Sequence, residues 1–217
     1  MKKNISKIMN ILIRKYKDYE FPSVRKVSEL KKNAFKVLIS CLLSLRTKDE
    51  NTAIAVKRLF KNVKKAEDIV KMPIKKLEKL IYSSGFYKRK AEILKSVCKT
   101  LIKKFKGKVP SNKKELLGIK HIGPKTANVV LCFAFNKDVI PVDVNVHRVA
   151  NRLGWVKTKK PEDTEKELEK ILPKRYWKLI NTLFILHGKN ICKPLSPFCS
   201  KCFIKDYCKK IGVKKTR

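Results

Sequence analysis

The sequence predicts an all-α fold. Apolar residues recur at helical spacing along most of the chain, strand signals are negligible, and short polar or glycine-containing connections separate the periodic segments. The opening MKKNISKIMNILIRKYKDY is an amphipathic helix in which Ile5, Ile8, Met9, Leu12 and Ile13 share one buried face. Lys7, Arg14 and Lys15 interrupt its apolar run, so no signal peptide is expected. Further helices are expected over 35–45, 52–60, 90–105, 126–135, 144–153, 161–171 and 175–186. Thr47-Lys48-Asp49-Glu50 has the pattern of a capping box, and Gly85, Gly107 and Gly118 fall where left-handed helix ends are expected. Residues 139–142 alone resemble a strand, but Pro141 makes them an extended connection. The composition shifts after Phe135, at Asn136-Lys137-Asp138, and a domain boundary is placed there.

A chain of 217 residues, 43% of them hydrophobic, can build one large domain or two small ones around a real core. Lys and Arg number 55 against 18 Asp and Glu, a formal charge of +37 suited to a polyanion, with nucleic acid the first candidate. An evenly spread lysine-rich surface is the alternative. The longest uncharged stretches, such as 126–136, fall short of the roughly 20 apolar residues a membrane span needs, so a soluble intracellular protein is expected. Gln is absent while Lys and Glu are abundant, a pattern that fits growth at high temperature.

Seven cysteines without an export signal argue against a disulfide framework and for metal ligation. Cys192, Cys199, Cys202 and Cys208 form C-x6-C-x2-C-x5-C, compact enough to wrap one centre within a single loop. Four thiolates suit zinc or an iron-sulfur cluster alike, although only Cys199 and Cys202 make the short knuckle that zinc ribbons use twice. Lys193, Lys201, Lys205, Lys209 and Lys210 surround the ligands, so an ordered loop would present fixed cations to phosphates. Cys41, Cys98 and Cys132 sit in apolar helical runs and are expected as small buried hydrophobes.

The segment 116–127 has the pattern of two helices joined by a hairpin, with Pro124 in the first turn of the second. Free N–H groups around Gly123 would bind a phosphate oxygen without reading sequence; a plain helix corner is the alternative. Lys125 lies just inside that helix, and Asp143 follows eighteen residues later before an apolar helical run. A lysine attacks a sugar carbon only as the neutral amine, a form favoured by a helix N-terminus and nearby cations. A neighbouring carboxylate favours the charged form instead, so the benefit of Asp143 would come later, through stabilising positive charge on the sugar or accepting protons. By composition alone Lys125 is a surface cation, and Asp143 reads equally well as an N-cap.

CLLSLRTKDENT, GFYKRKAEIL, HIGPKTANVVL, VDVNVHRVANRLGW and LHGKNIC leading into the cysteine loop closely resemble the endonuclease III family, from about residue 25 onward. The resemblance implies a helix-hairpin-helix glycosylase fold: a six-helix barrel domain over 27–136, an iron-sulfur domain from 1–26 with 137–217, and an active site in the cleft between them. It implies a [4Fe-4S] cluster on Cys192, Cys199, Cys202 and Cys208, Lys125 as the Schiff-base lysine and Asp143 as the catalytic aspartate. The implied activity is bifunctional: removal of oxidised pyrimidines from damaged double-stranded DNA and nicking of abasic sites by β-elimination. Phe86 falls on an apolar wedge that fills the gap left by an extruded base, and Arg46 on a void-filling glutamine, with core packing and phosphate contact as their plainer readings. DNA contacts are also expected from Lys120, His121, Ile122, Gly123, Asn145, Lys189 and Lys193. A monomer, cytoplasmic and associated with the nucleoid, from a thermophilic archaeon, completes the expectation. His121 stands where the family has the first hairpin glycine, and Asn145 where many members have His, as in relatives acting on mismatches. A monofunctional mismatch-specific glycosylase and a noncatalytic DNA-binding iron-sulfur protein are the competing readings.

Overall fold

The computed structural model describes residues 2–19 and 33–217, so the expected boundary at 26–27 lies outside the described residues. Among the described residues there is no strand. The helices are α1 (Lys2–Lys15), α2 (Ala34–Ser44), α3 (Asp49–Asn62), α4 (Ala66–Lys71), α5 (Ile74–Ile81), α6 (Tyr87–Phe105), α7 (Lys113–Leu117), α8 (Pro124–Phe135), α9 (Val144–Leu153), α10 (Pro161–Ile171) and α11 (Trp177–Asn190). Two compact units result, Met1–Tyr19 with Asp138–Arg217, and Glu20–Lys137. No described helix is long and apolar enough to cross a membrane.

In the Glu20–Lys137 unit the core is set by two helices that are apolar nearly all round. Helix α2 buries every residue from Val37 to Leu43, α8 buries every residue from Thr126 to Cys132, and the two pack together. An all-round apolar helix has to be central, because no face of it can be left in water. Helix α2 also packs on α3 and α6, α4 and α5 pack on α6, and α7 leans on α8. Cys41, Cys98 and Cys132 are buried as expected, and burial pushes the Cys98 thiol up to about 12, leaving it unreactive.

In the other unit α1 buries Ile5, Ile8, Met9 and Leu12 completely and packs on α11, which in turn packs on α9. The link ahead of α9 forms neither helix nor strand, and the buried Asn181 amide donates to the Pro141 carbonyl at 2.8 Å.

Several local expectations fail, each for a tertiary reason. Thr47 does not cap α3: the cap position is Lys48, without a side-chain bond, and the Thr47 hydroxyl instead accepts from Lys90 Nζ at 2.8 Å. Of the three glycines only Gly107 is left-handed, with φ +78°. Gly118 ends α7 in right-handed geometry. Gly85 sits in a tight place, where a Cβ would lie 3.0 Å from the Arg46 carbonyl oxygen. The short helices α4 and α5 were not expected at all.

Candidate functional site

The hairpin joins α7 to α8. Gly118 closes α7 through its N–H to the Lys114 carbonyl, Ile119 and Ile122 are buried, and Gly123 is the residue before α8. His121 takes φ +75°, the left-handed conformation expected where a glycine is usual. Lys120, His121 and Gly123 are exposed, whereas the buried Ile122 can offer a partner only its main chain. Pro124 occupies the first turn, where its missing N–H costs nothing, and Lys125 follows it, half-buried. Behind Lys125 the buried run Thr126–Cys132 fixes the direction of the helix, and with it the root of the amine.

Asp143 caps α9. Its Oδ1 accepts from the N–H groups of Asn145 (2.9 Å) and Val146 (2.8 Å), and its Oδ2 accepts from Asn145 Nδ2 at 2.9 Å. Asn145 is in turn held by Arg148, whose Nη2 donates to Asn145 Oδ1 at 2.9 Å and to the Gly188 carbonyl at 3.1 Å. Arg148 Nε reaches the Cys192 carbonyl at 3.1 Å. The carboxylate is therefore fixed by a chain of hydrogen bonds ending on the cysteine loop. Capping and orientation are done by the same side chain. Lys125 and Asp143 belong to different units.

All four C-terminal cysteines line one cavity, together with His187, Arg152, Val149, Leu153, Phe198 and Ile204. Among the described residues no three His, Cys, Asp or Glu side chains form a group suited to a single metal ion. N–H groups point at the sulfurs: Arg152 Nη1 donates to Cys192 Sγ at 3.3 Å and the Lys210 N–H to Cys208 Sγ at 3.4 Å. Arg152 also binds the carbonyls of Lys193 and Pro194, both at 2.7 Å, stitching the loop to α9. Burial pushes the Cys202 thiol up to about 11 and raises Cys208, so bare thiolates are disfavoured here unless a bound cation compensates. His187 lies with Nε2 3.7 Å from Cys202 Sγ and Nδ1 3.3 Å from the Tyr16 hydroxyl; burial, then Arg148, pushes it down to about 4, so it is neutral. The donor set, the enclosure and the N–H groups aimed at sulfur fit a thiolate-bound cluster. Lys193 lies over the Phe198 ring at 5.0 Å and Lys189 is exposed at the end of α11.

Arg46 and Phe86 come together. Both adopt left-handed φ (53° and 60°), both are exposed, and the guanidinium lies 4.8 Å from the ring centroid. Phe86 is 59% exposed, which excludes the core reading. Beneath them is a residue the sequence reading passed over. Lys90 is buried, and its ammonium donates to the Leu43 carbonyl (2.7 Å), Thr47 Oγ1 (2.8 Å) and Ser84 Oγ (2.8 Å). Burial pulls Lys90 down to about 8. Because this value lies below that of the unfolded chain, the folded protein releases the proton first, and the lysine's contribution to stability rises with pH from about 8 towards 10.5. Thermal unfolding of wild type and Lys90→Met at pH 7, 8.5 and 10 should accordingly show the difference moving in favour of wild type; a pH-independent difference would contradict it. Arg148, Arg152 and His187 were passed over too, since nothing local in the sequence ties them to the cysteines.

The hairpin, the amine behind its helix mouth, the capped carboxylate and the four-cysteine cavity define the helix-hairpin-helix class of DNA repair proteins. The family model described as "HhH-GPD superfamily base excision DNA repair protein" matches residues 39–174. Endonuclease III of Thermotoga maritima is 45% identical over 174 residues, covering 80% of this chain and 82% of that one. Endonuclease III homolog 2 of Arabidopsis thaliana is 43% identical over 188 residues, covering 82% of this chain; the match spans about half of that relative, 48%. Among solved structures, a trapped endonuclease III–DNA covalent intermediate superposes with TM-score 0.86 at 32% identity over 97% of this chain and 96% of its own. A thermostable thymine-DNA glycosylase superposes with TM-score 0.83 at 25% identity, over 96% of each chain. The chain belongs to the endonuclease III family. The archaeal source expected from the sequence gains no support, the Thermotoga maritima relative being bacterial.

Proposed function

We infer that this protein is a DNA glycosylase and abasic-site lyase of base excision repair, acting on damaged DNA, and propose that Lys125 is its nucleophile and Asp143 its essential carboxylate. The observation that carries the assignment is a half-buried primary amine rooted at the mouth of α8, directly behind a hairpin whose exposed backbone suits a phosphate. Lys125 Nζ attacks the anomeric carbon of the lesion nucleotide. The bond from that carbon to the base breaks, and the base leaves with the electron pair and takes up a proton. The nitrogen then loses a proton and the C1′–O4′ bond opens, O4′ leaving with the electron pair and taking up a proton, to give a protonated imine. This acidifies the adjacent sugar carbon, loss of its proton expels the 3′ phosphate, and water then hydrolyses the imine and releases the lysine. Asp143, held by the N–H groups of Asn145 and Val146, stabilises cationic character on the sugar. Oxidised pyrimidines are the proposed lesions. Arg46 and Phe86 are the pair proposed to occupy the space vacated by the extruded nucleotide, with Lys120, His121, Gly123, the Ile122 main chain, Lys189 and Lys193 meeting backbone phosphates. Incubating the protein with lesion duplexes under borohydride tests the assignment: a covalent cross-link and a nicked strand are expected, and base release without either selects the monofunctional reading.

Cys192, Cys199, Cys202 and Cys208 are proposed to hold a [4Fe-4S] cluster. When bound it supplies a cross-link that closes the loop by thiolate ligation. Arg152 and Arg148 then transmit the order of that loop to α9 through the carbonyls of Cys192, Lys193 and Pro194. Protein prepared anaerobically should contain about four irons and four sulfides per chain, with Cys199→Ser losing both together with thermal stability. Stoichiometric zinc without iron would replace the cluster by a zinc site.

A further inference from the structure

Three segments of the chain converge on one buried ammonium. Lys90 in the first turns of α6 reaches the last turn of α2 at Leu43, the turn after it at Thr47, and the turn before α6 at Ser84. Ser84 is fully buried and donates to the same Leu43 carbonyl at 2.9 Å, while its Oγ lies 3.4 Å from Thr47 Oγ1. Ser83 ties the second turn to α3 through the Asn51 carbonyl at 3.1 Å. The two turns also run close to each other, a Cβ at Gly85 lying 3.0 Å from the Arg46 carbonyl oxygen, a tight contact.

This arrangement is costly. A cation in the first turns of a helix opposes the helix dipole, and buried charges ordinarily face opposite charges. Among the described residues, however, the hydrogen-bond partners of Lys90 are one carbonyl and two hydroxyls. An ammonium has three tetrahedral donors and no acceptor, which matches three acceptors on three segments as no neutral side chain of that length does. What the three segments carry between them is Arg46 and Phe86, two non-glycine residues in left-handed backbone, stacked on each other and exposed. Such conformations persist only where the surroundings over-determine them.

We propose that Lys90 is a positioning residue for base extrusion: it pins the two turns so that Arg46 and Phe86 stand pre-stacked as one rigid insertion unit before DNA arrives. This rests on the glycosylase reading above. A rigid unit lowers the ordering cost of filling the gap, and that cost arises only when the lesion must be drawn out of a paired, stacked duplex.

The test compares single-turnover base release from one oxidised pyrimidine placed either in a fully paired duplex or in an unpaired bubble. Lys90→Met is expected to slow release from the paired duplex by about 30-fold and from the bubble by less than about 3-fold. Phe86→Ala should show the same split, and the double variant should be no slower than the worse single one. Equal losses on both substrates, or additive losses in the double variant, overturn the proposal and leave Lys90 as part of the fold alone. Should Lys90→Met not fold, Thr47→Val removes a single acceptor and is expected to give the same split at about 3- to 10-fold; no split there is equally fatal. Wild-type protein inactive on both substrates would instead refute the glycosylase reading, which separates the two failures.

Discussion

Lys125→Ala is expected to abolish the borohydride-trapped cross-link and to lower strand nicking at an abasic site by about 10³-fold or more, with DNA binding retained. The size follows from the chemistry: without the amine no covalent imine forms, and the adjacent sugar proton keeps its ordinary acidity. Survival of the fold follows from position. Lys125 precedes rather than belongs to the buried run Thr126–Cys132, and Ala is the best helix former available to replace it. The net charge of +37 falls by only one, so non-specific affinity and its steep salt dependence should persist. Binding isotherms at two salt concentrations beside the trapping gel separate the two effects. An undiminished cross-link in this variant would move the nucleophile to another residue.

Much of this site is legible in the sequence because it is local. Pro124 within the first turn and the Asp143 cap on α9 each follow from a few neighbouring residues, the left-handed His121 follows from the family resemblance, and α9 and α10 begin and end where their periodicity says. The cysteine spacing identifies its own cavity for the same reason. What is not legible is set by distant partners. Thr47 has every local credential of a helix cap, yet Lys90, 43 residues away, takes its hydroxyl. Arg152 looks like one more surface cation until the loop 40 residues later folds over it. Helices α4 and α5, six and eight residues long, are too short for a periodicity to declare itself and form because α6 and α3 cover them. Exposure divides the same way: Phe86 is an aromatic that composition would bury, and only the fold presents it beside Arg46.

Asp143 needs a variant that separates its two duties, and Asn is the one that does. Asn caps helices about as well as Asp, so Oδ1 keeps the N–H groups of Asn145 and Val146. The other oxygen becomes an amide facing Asn145 Nδ2, and rotating the Asn145 amide to suit would turn its Nδ2 towards Arg148. One donor-donor conflict remains in either case, a cost of about 1 kcal/mol. Denaturant unfolding of Asp143→Asn should therefore report a loss of that order, whereas Asp143→Ala loses the cap as well, about 1 kcal/mol more. Base release in single turnover should fall about 100-fold or more, because a neutral amide cannot stabilise cationic character on the sugar. A preformed abasic site no longer needs that departure, so the cross-link with Lys125 should still form there. A base-release rate within about 3-fold of wild type would instead make Asp143 a helix cap and nothing more, since the geometry around Oδ1 is the same in both proteins and only the charge differs.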